Sequence, residues 1–224
     1  MVKWLVGVDE AGRGSLIGEM MVAGYAVRSD HVELLVDMGV RDSKEMSRDE
    51  RREAYRALAT LGVFTVYPVP PERIDSENLV SLTEEAIIAV IGYIDARIGL
   101  FNVDRITIDR YGRERGLRTA IREMGCDCKV VIEEKADKRY PEVSAASIIA
   151  KHVRDERIRV LRRIYGVRGS GYPGDRETVQ WVMDVLSRGY RPPIIRYSWE
   201  TLEGTGYRVR KYRGRRIRSL DEFL

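Results

Sequence analysis

The 224-residue sequence predicts an α/β layer fold, in which helices flank a sheet and the C-terminal part is rich in helix. Short apolar runs bounded by glycine or proline alternate with longer segments of helical periodicity, a pattern typical of mixed strands and helices. The chain is 44% hydrophobic and long enough to bury a full core, and no linker-like stretch divides it. We therefore predict one domain over residues 1–206, followed by a basic tail over residues 207–224.

The N-terminal half is predicted to hold three strands and two helices. Apolar runs predict strands over residues 3–8, 19–27 and 63–69, and periodicity predicts helices over residues 47–61 and 78–98. Ser47 with Glu50 three residues later forms a capping box, which marks the start of the first helix. Prolines at 68, 70 and 71 end the third strand.

The C-terminal half is predicted to hold two strands and three helices. The strands are expected over residues 105–108 and 128–133, and the helices over residues 113–124, 141–165 and 175–188. The longest of these helices has an apolar stripe formed by Val143, Ala146, Ile149, Ala150 and Val153. A glycine-rich loop over residues 166–174 separates the last two helices.

Composition excludes several classes of protein and favours a polyanionic partner. No apolar run approaches the ~20 residues of a membrane span, and Met1 leads directly into a strand-like segment, so we expect a cytoplasmic protein without membrane contact. Residues 1–110 hold 13 basic and 19 acidic side chains, whereas residues 111–224 hold 26 and 16. The basic C-terminal half favours a nucleic acid partner, although a solvated charged face would give the same bias.

The only two cysteines, Cys126 and Cys128, are separated by one residue. No second cysteine pair follows and neither histidine is nearby, which makes a zinc site improbable. We therefore expect reduced thiols, as is usual for a cytosolic protein.

Four acidic residues stand where they could meet. Asp9 and Glu10 follow the first predicted strand inside GVDEAGRG, Asp109 follows another strand in RITIDRYG, and Asp137 lies just before the longest helix. Ligand sites in open α/β sheets lie beyond the carboxyl ends of strands, where several carboxylates repel one another unless cations hold them. Oxygen ligands without histidine or cysteine favour Mg²⁺ or Mn²⁺, and two such ions can support phosphodiester cleavage. Any one of these acids could instead be a turn or cap residue.

Six sequence blocks resemble type 2 ribonuclease H (ribonuclease HII), with the archaeal branch the most similar. They are GVDEAGRGSLIGEMMVAG, RDSKEMS, ITIDRYG, EEKADKRYPEVSAASIIAKHVRD, GSGYPGD and RYSWET, and they follow the order of that family over nearly the whole chain. The resemblance implies a ribonuclease H-like fold with a mixed five-stranded sheet and a helical C-terminal portion. It implies two divalent ions, Mg²⁺ or Mn²⁺, held by the catalytic carboxylates Asp9, Glu10, Asp109 and Asp137.

The resemblance also implies a substrate and the residues that would contact it. The family, which acts in DNA replication and repair, cuts the RNA strand of RNA–DNA hybrids and cuts 5′ of single ribonucleotides in duplex DNA. Expected substrate-binding residues are Gly12, Arg13, Gly14, Ser43, Lys44 and Tyr172, together with Lys151 and Arg154, which share a face of the longest helix and could contact phosphates. The GRG segment would test the ribose 2′-OH, and the tyrosine would stack on the sugar at an RNA–DNA junction.

Simpler structural roles remain open for several of these residues. Ser43 and Lys44 could bind a phosphate or could serve as an ordinary cap before the helix. Lys151 and Arg154 could contact phosphates or could pair with acids on their own helix. His152 stands where the family usually has an apolar residue, and we expect it to affect packing rather than chemistry.

Two other functions compete with the ribonuclease prediction. A noncatalytic hybrid-binding module should lack at least one of the four carboxylates, and all are present. A related nuclease or strand-transfer enzyme could share the sheet and the acids, but it would not need the GRG and GSGYPGD blocks. We expect the enzyme itself to be monomeric.

The extreme C-terminus suggests a protein partner. Leu220, Phe223 and Leu224 have i, i+3, i+4 spacing, which places them on one side of a helical turn. The pattern resembles the peptide by which replication and repair proteins bind the ring-shaped DNA sliding clamp. Ile217 stands where that motif usually has glutamine, and the alternative is that the tail docks on its own domain.

Overall fold

The computed structural model describes residues 2–40, 46–112, 116–203 and 205–207, which form a five-stranded sheet covered by helices on both faces. The strands are β1 (Trp4–Ala11), β2 (Met20–Arg28), β3 (Val63–Val69), β4 (Val103–Asp109) and β5 (Lys129–Glu133). Their order is β3-β2-β1-β4-β5, and β1 pairs antiparallel to β2 and parallel to β4. The predicted mixed sheet is confirmed, with β1 at its centre.

The helices in these residues are α1 (Val32–Asp37), α2 (Arg48–Leu61), α3 (Pro71–Ser76), α4 (Leu79–Ile98), α5 (Leu117–Glu123), α6 (Pro141–Tyr165) and α7 (Arg176–Ser187). The predicted capping box of α2 is present, because the Ser47 amide donates to Glu50 at 2.7 Å and the Glu50 amide donates to the Ser47 hydroxyl at 3.3 Å. Helices α1 and α3 were not predicted, since six residues are too few to show helical periodicity. No helix within the described ranges is long and apolar enough to cross a membrane.

Successive side chains of β1 point to opposite faces of the sheet and therefore pack against different helices. Val6 and Val8 pack in a core with α4 and α5, whereas Leu5 packs on the opposite face with α1, α2 and α6. Helix α6 lies directly against the sheet at Gly7, where an added Cβ would come within 2.2 Å of the backbone of Glu142. The first part of α6 is therefore fixed against the central strand.

A third core joins the C-terminal region to the N-terminal loop that follows β1. It contains Leu16 and Ile17 from that loop, Leu161 from α6 and Trp181 from α7. Ile17 forms an isolated antiparallel bridge with Ile195, so the chain after α7 returns to the loop next to β1. This contact brings two segments that are distant in sequence together at one end of the sheet.

Two expectations about local structure were wrong. Asp9 and Glu10 lie inside β1 rather than after it, because the ladder with β2 continues through both residues. Cys126 and Cys128 are joined in a disulfide, with Cα atoms 5.2 Å apart, instead of being free thiols. The turn between α5 and β5 brings the two cysteines within the range that a disulfide can span, and the cellular compartment of a protein does not reveal such local geometry.

Several sequence predictions lie outside the described residues. They concern Ser43, Lys44 and the C-terminal residues Leu220, Phe223 and Leu224. The division of the chain at residue 206 stays a prediction.

Candidate active site

Asp9 and Asp109 lie side by side on the two central parallel strands. Val8 of β1 pairs with Ile108 of β4, and the two aspartates are the next residues along these strands. Asp9 is 7% exposed and forms a hydrogen bond with Ser147 of α6. The parallel register and α6 together place two carboxylates at the same end of the sheet.

Glu10 follows Asp9 and is also shielded from solvent. Its backbone amide donates to the Asp9 carboxylate at 2.7 Å, and its own carboxylate lies 3.9 Å from the Arg13 guanidinium. Because strand residues alternate between faces, the Glu10 side chain leaves β1 on the α4 side. Arg13 in turn donates to the hydroxyl of Thr83 on α4 at 2.8 Å, which holds the arginine near the acids.

Asp137 reaches the same end of the sheet from the turn that follows β5. The turn places Asp137 in a short 3₁₀ segment, Ala136–Lys138, where its side chain is 6% exposed. The backbone amide of Ala136 donates to the Asp109 carboxylate at 2.7 Å. This bond ties Asp109 to the residue that precedes the fourth acid.

The electrostatics of the site favour a bound cation. Burial, followed by the charges of Glu10 and Asp109, raises the pKa of Asp9 to about 8. Burial and the charge of Asp109 likewise raise the pKa of Glu10 to about 7, against the opposing effect of Arg13. A divalent cation would relieve this repulsion, and carboxylate oxygens fit Mg²⁺ or Mn²⁺.

The conformation described is not yet that of a closed metal site. Within the ranges the structure covers, no three carboxylate, histidine or cysteine side chains are grouped closely enough to hold a metal ion. The donor set fits a hard divalent ion, but the side chains must turn towards a shared point to bind it.

A glycine-containing loop borders the acids. Gly12 has φ +80°, and a Cβ there would lie 3.1 Å from the Glu19 carbonyl, so both backbone and space favour glycine. Gly14 differs, because a Cβ at that position would meet no atom of the described chain within 4 Å. Packing within this protein therefore does not explain the second glycine.

Arg196 and Trp199 hold this loop from the C-terminal segment. The fully buried Arg196 guanidinium donates to the carbonyls of Arg13 at 2.8 Å and Gly18 at 3.0 Å, and the Trp199 indole donates to the Gly14 carbonyl at 3.3 Å. Burial, followed by the nearby Arg154 cation, lowers the pKa of Arg196 to about 9. Neither residue was predicted to have a role, and their place in the RYSWET block is their one signal in the sequence.

Arg154 joins the glycine-containing loop to the loop that carries Tyr172. Its guanidinium donates to the Ser15 hydroxyl at 3.1 Å and to the Ser170 carbonyl at 2.6 Å, and lies 4.1 Å from the centroid of the Tyr172 ring. Tyr172 keeps 37% of its surface exposed. Arg154 is therefore placed to position the tyrosine, whereas Lys151 lies half-buried one turn earlier on α6.

The geometry agrees with comparisons with known proteins. The family model described as Ribonuclease HII matches residues 6–202, a range that includes all four carboxylates. The ribonuclease HII of Aeropyrum pernix is 48% identical over 98% of both chains.

Two solved structures are also similar to this chain. The crystal structure of ribonuclease H2 from Pyrococcus horikoshii has a TM-score of 0.77 at 34% identity, covering 88% of this chain and 94% of that one. The structure of the PCNA:RNase HII complex from Archaeoglobus fulgidus has a TM-score of 0.75 at 30% identity, covering 98% and 99%. These matches extend over the sheet, the acids and the C-terminal segment together.

Proposed function

Since this chain belongs to the ribonuclease HII family and is an endoribonuclease that acts on RNA–DNA hybrids, we propose that it also cuts 5′ of single ribonucleotides embedded in duplex DNA. One observation carries this proposal. Asp9 and Asp109 are adjacent at the ends of parallel strands and lie beside a glycine-containing loop that the C-terminal segment holds in place. The acids would perform the cleavage and the loop would select the nucleotide.

We propose that Asp9, Glu10, Asp109 and Asp137 hold two divalent cations, Mg²⁺ or Mn²⁺. When bound, such ions supply an activated water and stabilise the leaving oxygen. The protein contributes the placement of the carboxylates: the Ser147 hydroxyl orients Asp9, and the Ala136 amide orients Asp109. Because these partners belong to α6 and the turn after β5, the ligands are held by the fold itself.

We propose that the loop at residues 12–14 reads the ribose 2′-OH. The open space at Gly14 allows the backbone to approach a sugar more closely than a side chain would permit. Tyr172 would stack on the sugar at the junction while Arg154 holds its ring. Ser43, Lys44 and Lys151 remain proposed phosphate contacts.

Cleavage of a duplex that carries one ribonucleotide, measured with and without Mg²⁺, tests the proposal. We expect incision 5′ of the ribonucleotide only with the cation, and loss of several powers of ten in rate for Asp109→Asn. The matched control is Asp104→Asn, which changes an exposed carboxylate on the same strand. Turnover of Asp109→Asn at the rate of the control would contradict the assignment.

Cleavage of the same duplex also distinguishes a ribonuclease from a noncatalytic binding module and from a strand-transfer enzyme. The family assignment makes the chain an enzyme, which is inconsistent with a noncatalytic binding module. A strand-transfer enzyme would join the cut strand to a second DNA, whereas we expect hydrolysis products alone.

We also propose that the C-terminal residues Leu220, Phe223 and Leu224 bind the DNA sliding clamp. The resemblance to the RNase HII of the A. fulgidus PCNA complex supports this partner, as does the i, i+3, i+4 spacing. Deleting residues 219–224 should abolish clamp binding while cleavage and melting temperature stay unchanged. A destabilised enzyme with unchanged clamp binding would show that the tail docks on its own domain.

A further inference from the structure

A cleft lies between the start of α2 and the second half of α6. Its volume is about 230 Å³. Arginine dominates its walls, which are formed by Arg48, Asp49, Arg51, Arg52, His152, Arg154, Asp155, Glu156, Ile158, Arg159, Arg162 and Ser170. None of the proposed metal ligands lines it.

The acids of the cleft neutralise only half of its arginines. The ion pairs are Arg51–Asp155 at 2.5 Å, Arg52–Asp49 at 2.9 Å, and Arg159–Glu156. Arg48, Arg154 and Arg162 remain in excess, although Asp155 also lies 3.3 Å from Arg154. Burial lowers the pKa of His152, so this residue adds no charge at neutral pH. The cleft therefore carries a net positive charge suited to a polyanion.

The inner wall contains a buried cation, Arg154, whose terminal nitrogens already contact Asp155, Ser15 and Ser170. Arg154 is 6% exposed, and its Nε atom has no hydrogen-bond partner among the residues described. Arg48 and Arg162, by contrast, are exposed at the two sides of the cleft. A buried cation behind a pair of exposed arginines matches sites that bind phosphate by charge and hydrogen bonds.

The cleft is continuous with the proposed substrate-reading loops. Arg154 lines the cleft and also contacts Ser15 and the ring of Tyr172, while Ser170 is both a cleft residue and part of the Tyr172 loop. The cleft therefore borders the loop that carries Tyr172.

We propose that this cleft binds backbone phosphates of the nucleic acid substrate, outside the nucleotides at the cleavage point. The inference rests on the proposed function, because it takes the strand held at Tyr172 as the occupant. Backbone contact of this kind supplies affinity and register without reading sequence. The cleft would then make cleavage depend on the length of duplex on one side of the cut.

The first test compares charge variants at the two sides of the cleft. Arg48→Gln combined with Arg162→Gln removes the two exposed cations that no acid of the cleft neutralises, and the corresponding lysine pair keeps them. Arg163→Gln is the matched control, because Arg163 is exposed on the next position of α6 and does not line the cleft. Affinity for the duplex is measured without divalent ions by fluorescence anisotropy over a series of salt concentrations.

We expect the glutamine pair to weaken duplex binding roughly ten- to fiftyfold at about 0.1 M salt. The slope of log affinity against log salt concentration should become shallower by the amount expected for the loss of nearly two phosphate contacts. The lysine pair should retain most of the affinity, and the Arg163 variant should bind like the wild type. Equal affinity and equal salt slopes for the glutamine pair and the control would overturn the proposal.

The second test shortens the duplex from each end in turn and measures KM and kcat. On long duplexes, the wild type and the glutamine pair should differ in KM and not in kcat. On duplexes too short to reach the cleft, the two proteins should have the same KM. A difference that persists at every length would overturn the proposal. If the wild type fails to cut any duplex, the proposed function fails, whereas the binding comparison still decides the role of the cleft.

Discussion

Replacing Asp9 by asparagine should abolish cleavage and also stabilise the cation-free protein at alkaline pH. Asp9 is 7% exposed, and the charges of Glu10 and Asp109 oppose its ionisation. Asparagine has nearly the same shape and removes the negative charge. Its side-chain oxygen can still accept the hydrogen bond from the Glu10 amide.

The size of the effect follows from the pKa of Asp9, which rises from 3.8 to about 8 in the folded protein. Such a rise lowers the free energy of unfolding by up to roughly 6 kcal/mol at pH 9. Part of this is offset in the variant because the hydrogen bond with Ser147 changes. A hydrogen bond to a charged group contributes about 2 kcal/mol, so we expect a net gain of about 4 kcal/mol, or roughly 10 °C in melting temperature for a chain of this size.

The gain should depend on pH in a defined direction. A carboxyl whose pKa is higher in the folded state takes up protons on folding, so wild-type stability is lost as pH rises from about 4 to 8. Asparagine does not titrate, and the difference between variant and wild type should therefore increase across this window. Below pH 4 the difference should nearly vanish.

Thermal melting in a chelating buffer at pH 4, 6 and 8.5 measures this difference, with Asp104→Asn as the exposed control. Adding Mg²⁺ at pH 8.5 should stabilise the wild type more than the Asp9 variant, because the cation binds only the folded site. A variant that melts below the wild type at pH 8.5, or a gain that does not change with pH, would refute the reasoning.

Three further variants test the packing and the loops. Gly7→Ala should lower the unfolding free energy by about 3 kcal/mol, because its Cβ would meet the Glu142 backbone at 2.2 Å; an unchanged melting temperature would contradict the packing of α6. Arg196→Lys keeps the cation but cannot bind two carbonyls as a fork, so single-turnover cleavage should slow roughly ten- to hundredfold, and a wild-type rate would exclude a positioning role. Tyr172→Ala should slow cleavage at a single ribonucleotide about one to two decades more than cleavage of a long hybrid, and equal losses would make the tyrosine structural.

Much of the fold could be predicted because local sequence and tertiary structure agree. The longest helix, Pro141–Tyr165, has the predicted bounds, since proline starts it and Gly166 in the left-handed region ends it. Strand β3 also has the predicted bounds, and it tolerates Pro68 because it is an edge strand. In these elements the residues that start and stop the structure are visible in the sequence.

The rest depends on contacts between distant residues. The end of β1 could not be placed because the ladder with β2, rather than the composition of β1, extends it through Glu10. The roles of Arg196 and Trp199 arise from contacts with a loop some 180 residues earlier, and no periodicity marks them. Likewise, the buried Glu142 forms an ion pair with the half-buried Arg105 at 2.8 Å, which spacing alone does not indicate.

The long-range contact between Arg196 and the loop after β1 has a consequence for the timing of activity during synthesis. The N-terminal part of a chain is made first and can begin to fold before the remainder is available. Strands β1 and β4, with their carboxylates, are complete by residue 109, but the support for the glycine-containing loop arrives only with residues 194–199. A nascent chain therefore holds all four carboxylates from residue 137 onward, before Arg196 is available to support the loop that selects the nucleotide. We expect nuclease activity to appear only when almost the whole described chain has left the ribosome.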